Sequence, residues 1–452
     1  MKIKFLFLVM ALLTITLLLC SCDESDSYIE TRTLNVYNWG EYISDEYDVE
    51  AGLVDVNKEF ENYCLEKFGY KVKVNYSTYA TNEDMYAKLK NGAVKYDIVI
   101  PSDYMIEKMI SENMLKAIDI SSLENYSNII SKILEKARNS YDYNEDHPEN
   151  IYSVPYTYGM LGIIYNQNYI SEVDVSGRWD LLWNAKYKGK ILQFNNPRDA
   201  FATAMYKEGI DVNSRNPADW SLALNELIKQ KPLLQAYVND EIFNKMKGNS
   251  AYIAPYYAGD YLTMAADNND LRFYYPSEGT NYFIDAMCIP ANSENEDLAL
   301  AYIDFMLRED MGSANALYIG YATPNDAVKN SDSYQQLLSY NYDITGYDDN
   351  GDEVTLVSAY NVLYNDDDEY FKICSSYNNY FNGMYNGEEV DIQSHVNSLW
   401  EELKIQDSTE PWIHVASAII VVGVFAMAIY SIYIKKKRSR EYRMRDKRNK
   451  KT

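Results

Sequence analysis

The chain has 452 residues and a formal net charge of −25, with 42 Lys and Arg against 67 Asp and Glu. Its three histidines, His147, His395 and His414, are far apart, which argues against a His-rich metal site or a His-based triad. The acidity argues against nucleic acid as a partner, because such a field repels polyanions and gathers cations.

A chain of this length can bury a large core and form two lobes or domains. Residues 1–21 open with Lys2 and Lys4 and continue in an apolar run from Phe5 to Leu19, the pattern of a secretory signal. The run ends Leu19-Cys20-Ser21-Cys22, which resembles a bacterial lipobox and implies cleavage before Cys22 with lipid on its sulfur. Cys64, Cys288 and Cys374 are widely spaced and odd in number, so neither a disulfide framework nor a metal cluster is expected.

From Leu34 to Asn38 a β-type run ends at Trp39 and Gly40, beside Glu41 and Tyr42. Val54 to Phe68 has helical spacing, Lys71 to Tyr76 alternates as a strand, and Asn82 caps a helix running to Leu89. Tyr96 to Ile100 reads as a buried strand stopped by Pro101, and Tyr104 to Met114 as a helix. This β-α-β-α-β order predicts a parallel, doubly wound sheet. A polar linker spans 139–150, then Ser153 to Tyr156 and Gly162 to Tyr165 read as two strands. A second α/β unit follows, with a strand at Lys190 to Phe194 and helices at Asp199 to Lys207 and Asp219 to Lys231. After Tyr282 to Pro290 comes a helix from Asn295 to Leu307. Asn350-Gly351 predicts a hairpin with a type I′ turn. A last helix places Ile392, Val396, Leu399 and Leu403 on one face.

Residues 413–434 carry no Asp, Glu, Lys or Arg and are long enough to cross a bilayer as a helix. The tail, 435–452, holds 11 Lys and Arg against two acids, which places it in the cytoplasm and everything before Pro411 outside. Without that tail and the signal lysines, the remainder of the chain stands at −36.

Five segments put polar or aromatic residues at the ends of strand-like runs: Trp39-Gly40-Glu41-Tyr42, Pro101-Ser102-Asp103-Tyr104, Asn195 to Asp199, Tyr256 to Gly259 and Phe283-Ile284-Asp285. Ligands of open α/β sheets bind beyond the carboxyl ends of strands, so facing ends in two lobes describe a hinged cleft. Carboxylates beside aromatic rings suit a ligand that is both cationic and greasy. No phosphate loop, catalytic triad or metal-ligand cluster competes, and neither a cofactor nor catalysis is expected.

These segments resemble the polyamine-binding proteins of bacterial ABC importers, over roughly Leu34 to Lys404. The resemblance rests on Tyr37 to Tyr42, Tyr76 to Tyr79 with Asn82 to Leu89, Tyr96 to Ser102, Trp183 to Lys190, Asp285 to Asn292 and Gly320 to Asn325. It implies an α/β, type II periplasmic-binding-protein-like fold, each lobe a mostly parallel sheet flanked by helices; the apolar run 413–434 adds an expected C-terminal transmembrane helix. One lobe would comprise 32–158 and 284–332, the other 159–283 and 333–406. The implied ligand is putrescine or spermidine, handed to membrane permease subunits and their ATPase. Carried over position by position, the aromatic wall is Trp39, Tyr42, Tyr257, Phe283 and Tyr321. The carboxylates are Glu41, Asp199 and Asp285, with Ser102 and Tyr104 at the cleft floor. Tyr257 and Phe283 stand where the family has tryptophans, Asn196 where it has an aspartate, and a C-terminal glutamine has no counterpart. The uncharged Asn196 is expected to let putrescine compete at least as well as spermidine. Other readings of the residues are a binding protein of this fold for another cationic solute or iron, a membrane-anchored glycosidase, and a sensor signalling through the membrane helix.

Overall fold

The computed structural model describes residues 31–348, 350–365, 370, 373–377 and 383–405. The signal, Cys22, the apolar segment 413–434 and the basic tail lie outside the described residues. Among the described residues no helix is long and apolar enough to cross a membrane.

The sheet grows from β1, Thr31–Trp39, whose Leu34, Val36, Tyr37 and Asn38 are all buried, as a central strand requires. Parallel to it lie β2, Lys71–Tyr79, on one side and β3, Ile98–Val99, on the other. The strand proper covers only Ile98–Val99 of the expected Tyr96–Ile100 run, although the Asp97 and Ile100 N–H groups also donate to the Asn35 and Tyr37 carbonyls of β1. Ser153 to Asn166 forms a single 14-residue strand, β4, rather than two. The intervening Thr157-Tyr158-Gly159-Met160-Leu161 stays extended because it has a partner throughout: Thr157 to Met160 pair with β9, Tyr282–Cys288, and Leu161 with the next strand over. The remaining strands are β5, Ile191–Phe194, β6, Leu234–Val238, β7, Ile253–Tyr257, and β8, Leu271–Tyr274.

The spatial order is β2-β1-β3-β9-β4-β7-β5-β6, with β8 also against β4. At each end three strands run parallel, β2-β1-β3 and β7-β5-β6. The strands between them, β9 and β4, pair antiparallel to their neighbours. The sheet is therefore mixed, and parallel only within each lobe's own βαβ units, where crossover helices cover the faces. β4 and β9 carry it from one lobe to the other. One apolar core gathers Leu34, Val36, Phe60, Ile98, Ile289 and Tyr302; the larger one includes Ile163, Ile164, Leu192, Phe194, Phe201 and Trp179.

Two further expectations change in detail. Thr81, not Asn82, caps the helix Asn82–Asn91, its hydroxyl accepting from the Asp84 N–H; Asn82 is instead buried under the cleft. The strands Ile344–Tyr347 and Glu353–Val357 do form a hairpin, but the residues between them make a longer loop. The Gly351 N–H, with φ +86° at that residue, donates to the Asp348 carbonyl at 3.0 Å, so Asn350 and Gly351 are not the central pair of a type I′ turn. The helix Ile392–Ile405 buries Ile392, Val396, Leu399 and Leu403 as its spacing predicts.

Candidate functional site

All eleven residues singled out in the sequence line one cavity of about 1080 Å³ between the lobes: Trp39, Glu41, Tyr42, Ser102, Tyr104, Asn196, Asp199, Tyr257, Phe283, Asp285 and Tyr321. They come from six separate stretches of chain: five lie where a strand ends or crosses between the lobes, and Tyr321 follows the helix Glu309–Ile319.

At the end of β1 the buried Asn38 folds the chain back on itself. Its Oδ1 accepts from the Trp39 N–H at 2.8 Å and its Nδ2 donates to the Tyr42 carbonyl at 3.3 Å. Glu41 occupies the resulting bend with φ +52°, a left-handed conformation uncommon for a non-glycine residue, and its side chain is exposed. Trp39 leans on Tyr79 with ring centroids 4.6 Å apart, and its indole Nε1 is buried without a partner among the described residues.

Asp285, in the middle of β9, faces Ser102 across an isolated bridge. Its Oδ2 accepts from the Tyr42 hydroxyl at 2.8 Å, while Oδ1 is buried and has no partner among the described residues. Burial pushes this carboxyl up to about 6, against the downward pull of the Ser102 and Tyr42 hydroxyls. Tyr42 meets Tyr321 edge to face at 5.4 Å. The Tyr321 hydroxyl in turn donates to Asp260 Oδ2 at 2.8 Å. Asp260 sits in the first turn of the helix Ala258–Asp267, and burial lifts it to about 7. Gly259 permits this contact: a Cβ there would stand 2.5 Å from the Tyr321 ring and 2.7 Å from the Gly320 carbonyl.

Asp199 is held differently. It lies in the first turn of the helix Pro197–Glu208, capped by Asn196, whose Oδ1 accepts from the Asp199 N–H. Its Oδ2 accepts from Asn196 Nδ2 at 2.9 Å and the Tyr257 hydroxyl at 2.7 Å, and its Oδ1 from the Tyr377 hydroxyl at 2.9 Å. Three donors already satisfy this carboxylate, and both polar groups of Asn196 are engaged with Asp199, Nδ2 with its carboxylate and Oδ1 with its backbone N–H. Tyr257 and Phe283 meet edge to face at 5.4 Å, continuing the aromatic wall.

At the floor, Tyr104 donates to Glu83 at 3.1 Å and accepts from Asn82 Nδ2 at 3.0 Å. The Arg198 guanidinium lies 3.7 Å from the centroid of its ring, joining the two lobes across the cleft. Asp103 is raised to about 8 by burial, but both its oxygens face backbone N–H groups, of Tyr104 and Ile284, so it belongs to the framework.

Asp260 and Tyr377 are the site residues that the sequence reading missed. Asp260 follows the Tyr256-Tyr257-Ala258-Gly259 segment directly, and strand-end logic extended by one residue would have included it. Tyr377 belongs to no strand-end segment and, in a chain with 45 tyrosines, carries no distinguishing signal.

The family model of the bacterial extracellular solute-binding proteins matches residues 57–339. The chain is 35% identical over 305 residues to the spermidine/putrescine-binding periplasmic protein of Escherichia coli, covering 66% of this chain and 80% of that one. It is 31% identical over 322 residues to spermidine/putrescine-binding periplasmic protein 1 of Haemophilus influenzae, covering 69% and 82%. In structure it resembles the spermidine/putrescine ABC transporter substrate-binding protein of Streptococcus pneumoniae, with a TM-score of 0.60 and 30% identity over 83% of this chain and 99% of that one.

Proposed function

The chain belongs to the bacterial extracellular solute-binding proteins, and we propose that it binds a polyamine, putrescine or spermidine, between its lobes and delivers it to an ABC importer. The observation that carries this reading is Asp285: a buried carboxylate with one oxygen unpartnered among the described residues, set among Tyr42, Phe283 and Tyr321. A lone buried anion is unfavourable, and an ammonium group placed against Oδ1 supplies both charge and donor. The rings of Trp39, Tyr42, Tyr257, Phe283 and Tyr321 cover the methylenes and attract the ammonium groups. Asp260, with a single tyrosine donor, offers a second carboxylate for the far end of the chain, while exposed Glu41 guards the entrance. The names borne by the relatives support the same ligand class.

Delivery requires permease subunits with their ATPase in the membrane. Lipid on Cys22 and the apolar segment 413–434 would hold the protein at the outer face, with the basic tail inside.

Calorimetry of the full chain against putrescine, spermidine, spermine and lysine tests this function. Lysine belongs in the panel because Trp39 Nε1 and Arg198 bring donors to the same cavity, which a carboxylate would use. Saturable binding of a di- or triamine, tighter than lysine, is expected; preference for lysine overturns the polyamine assignment.

A further inference from the structure

Residues 373–377 run as a strap along the start of β9, beyond the span matched by the family model. Ser375 pairs with Asn281 in a parallel bridge, its N–H donating to the Thr280 carbonyl at 3.1 Å. Its carbonyl accepts from the Tyr282 N–H at 3.2 Å and from Asn281 Nδ2 at 3.2 Å, and the Ser376 carbonyl from Asn213 Nδ2 at 2.8 Å. The underlying chain is shaped for the strap. Gly279 has φ +95°, and a Cβ there would lie 2.4 Å from the Ile373 carbonyl oxygen.

The strap ends by placing Tyr377, only 7% exposed, in the cavity wall with its hydroxyl on Asp199 Oδ1. Tyr257 hangs on the other oxygen of the same carboxylate. A phenol that donates to a carboxylate shifts electron density into its ring, which strengthens the attraction of the ring face for a cation.

We propose that Tyr377 is a ligand-wall residue contributed by the strap, and that Asp199 serves chiefly as the shared anchor that orients and polarises the Tyr257–Tyr377 pair toward an ammonium group. This rests on the polyamine reading. The test is calorimetry of the full chain with putrescine, for Tyr377→Ala, Tyr377→Phe and a series carrying mono-, di- and trifluorinated phenylalanine at position 377. Fluorination drains the ring face with little change of shape. Expected are a loss of at least about fivefold in affinity for Tyr377→Ala, with a lowered unfolding temperature, and a stepwise decline of about twofold per step along the fluorinated series, whose members unfold at the same temperature as one another. A flat fluorination series, with wild-type protein binding putrescine, overturns the role of Tyr377 and leaves the polyamine reading standing. Absence of wild-type binding to any polyamine removes that reading itself, and this inference with it.

Discussion

The Tyr42 hydroxyl donates to Asp285 Oδ2 at 2.8 Å and leaves Oδ1 buried and without a partner among the described residues. One tyrosine thus fixes the orientation of the carboxylate without satisfying it. Asp285→Ala is expected to weaken polyamine binding by more than about tenfold, since a hydrogen bond to a charged group is worth roughly 1.5–3 kcal/mol. Tyr42→Phe keeps the ring but frees the carboxylate to turn, and should lose less, about threefold. Calorimetry on both variants, with unfolding temperature as the control, checks the order; a Tyr42→Phe loss exceeding that of Asp285→Ala would move the main contact away from Asp285.

Protonation follows from the same burial. Asp285 and Asp260 rise from 3.8 to about 6 and about 7. Between the unfolded and folded values the folded, ligand-free protein holds more protons than the unfolded chain. Its stability from these groups therefore falls as pH rises through that window. An ammonium group favours the charged carboxylate, so binding should expel protons near pH 6 to 7, and affinity should climb from about pH 5.5 to about pH 8. Calorimetry in two buffers of different ionisation enthalpy measures the protons released. Net proton uptake, or affinity independent of pH, would show that neither carboxylate meets the ligand's charge.

Much of this was legible in the sequence, for physical reasons that vary by residue. Trp39, Asp285 and Tyr257 were visible because they lie on or end β runs whose hydrophobic pattern is unambiguous. The 3.6-residue spacing of Ile392, Val396, Leu399 and Leu403 gave the buried face of the last helix directly. What pattern could not supply was the allocation of hydrogen bonds. Asn82 has the chemistry of a helix cap, yet Thr81 takes that place and Asn82 turns to Tyr104 and Ser102. Asp199 looked like a free ligand carboxylate, and only three-dimensional pairing reveals its three donors. The continuity of β4 was hidden because its central residues owe their extended form to partners on β9, remote in sequence.

The two proposed anchors, a lipid on Cys22 and the apolar run 413–434, rest on unrelated chemistry. A lipobox cysteine would carry diacylglycerol, and two acyl chains suffice for stable anchoring, as does a spanning helix. Cys22→Ala is therefore expected to abolish lipid labelling while the protein stays in the membrane fraction. Removal of 413–452 should leave it held by lipid alone. Full-length Cys22→Ala protein released into the medium would show that 413–434 does not span the membrane.

Asn196 gives the sharpest test of charge in the cleft. It caps its helix through Oδ1, and its Nδ2 neutralises part of Asp199 at 2.9 Å. Asp serves as well as Asn at a helix N-cap, so Asn196→Asp should preserve the cap. It replaces the donor with a second carboxylate, however, and two carboxylates at that separation cannot both ionise unless a cation joins them. Without ligand the variant should unfold at a lower temperature at about pH 8 than at about pH 6, as the pair is forced to share or lose its proton. A ligand bringing a third ammonium group relieves that repulsion, so spermidine should gain on putrescine by about fivefold or more, that is about 1 kcal/mol or more. Competition calorimetry with the two amines reads the ratio. An unchanged ratio together with the lowered unfolding temperature would mean that residue 196 acts on Asp199 and its helix alone, and that the ligand's third charge lies elsewhere in the cavity.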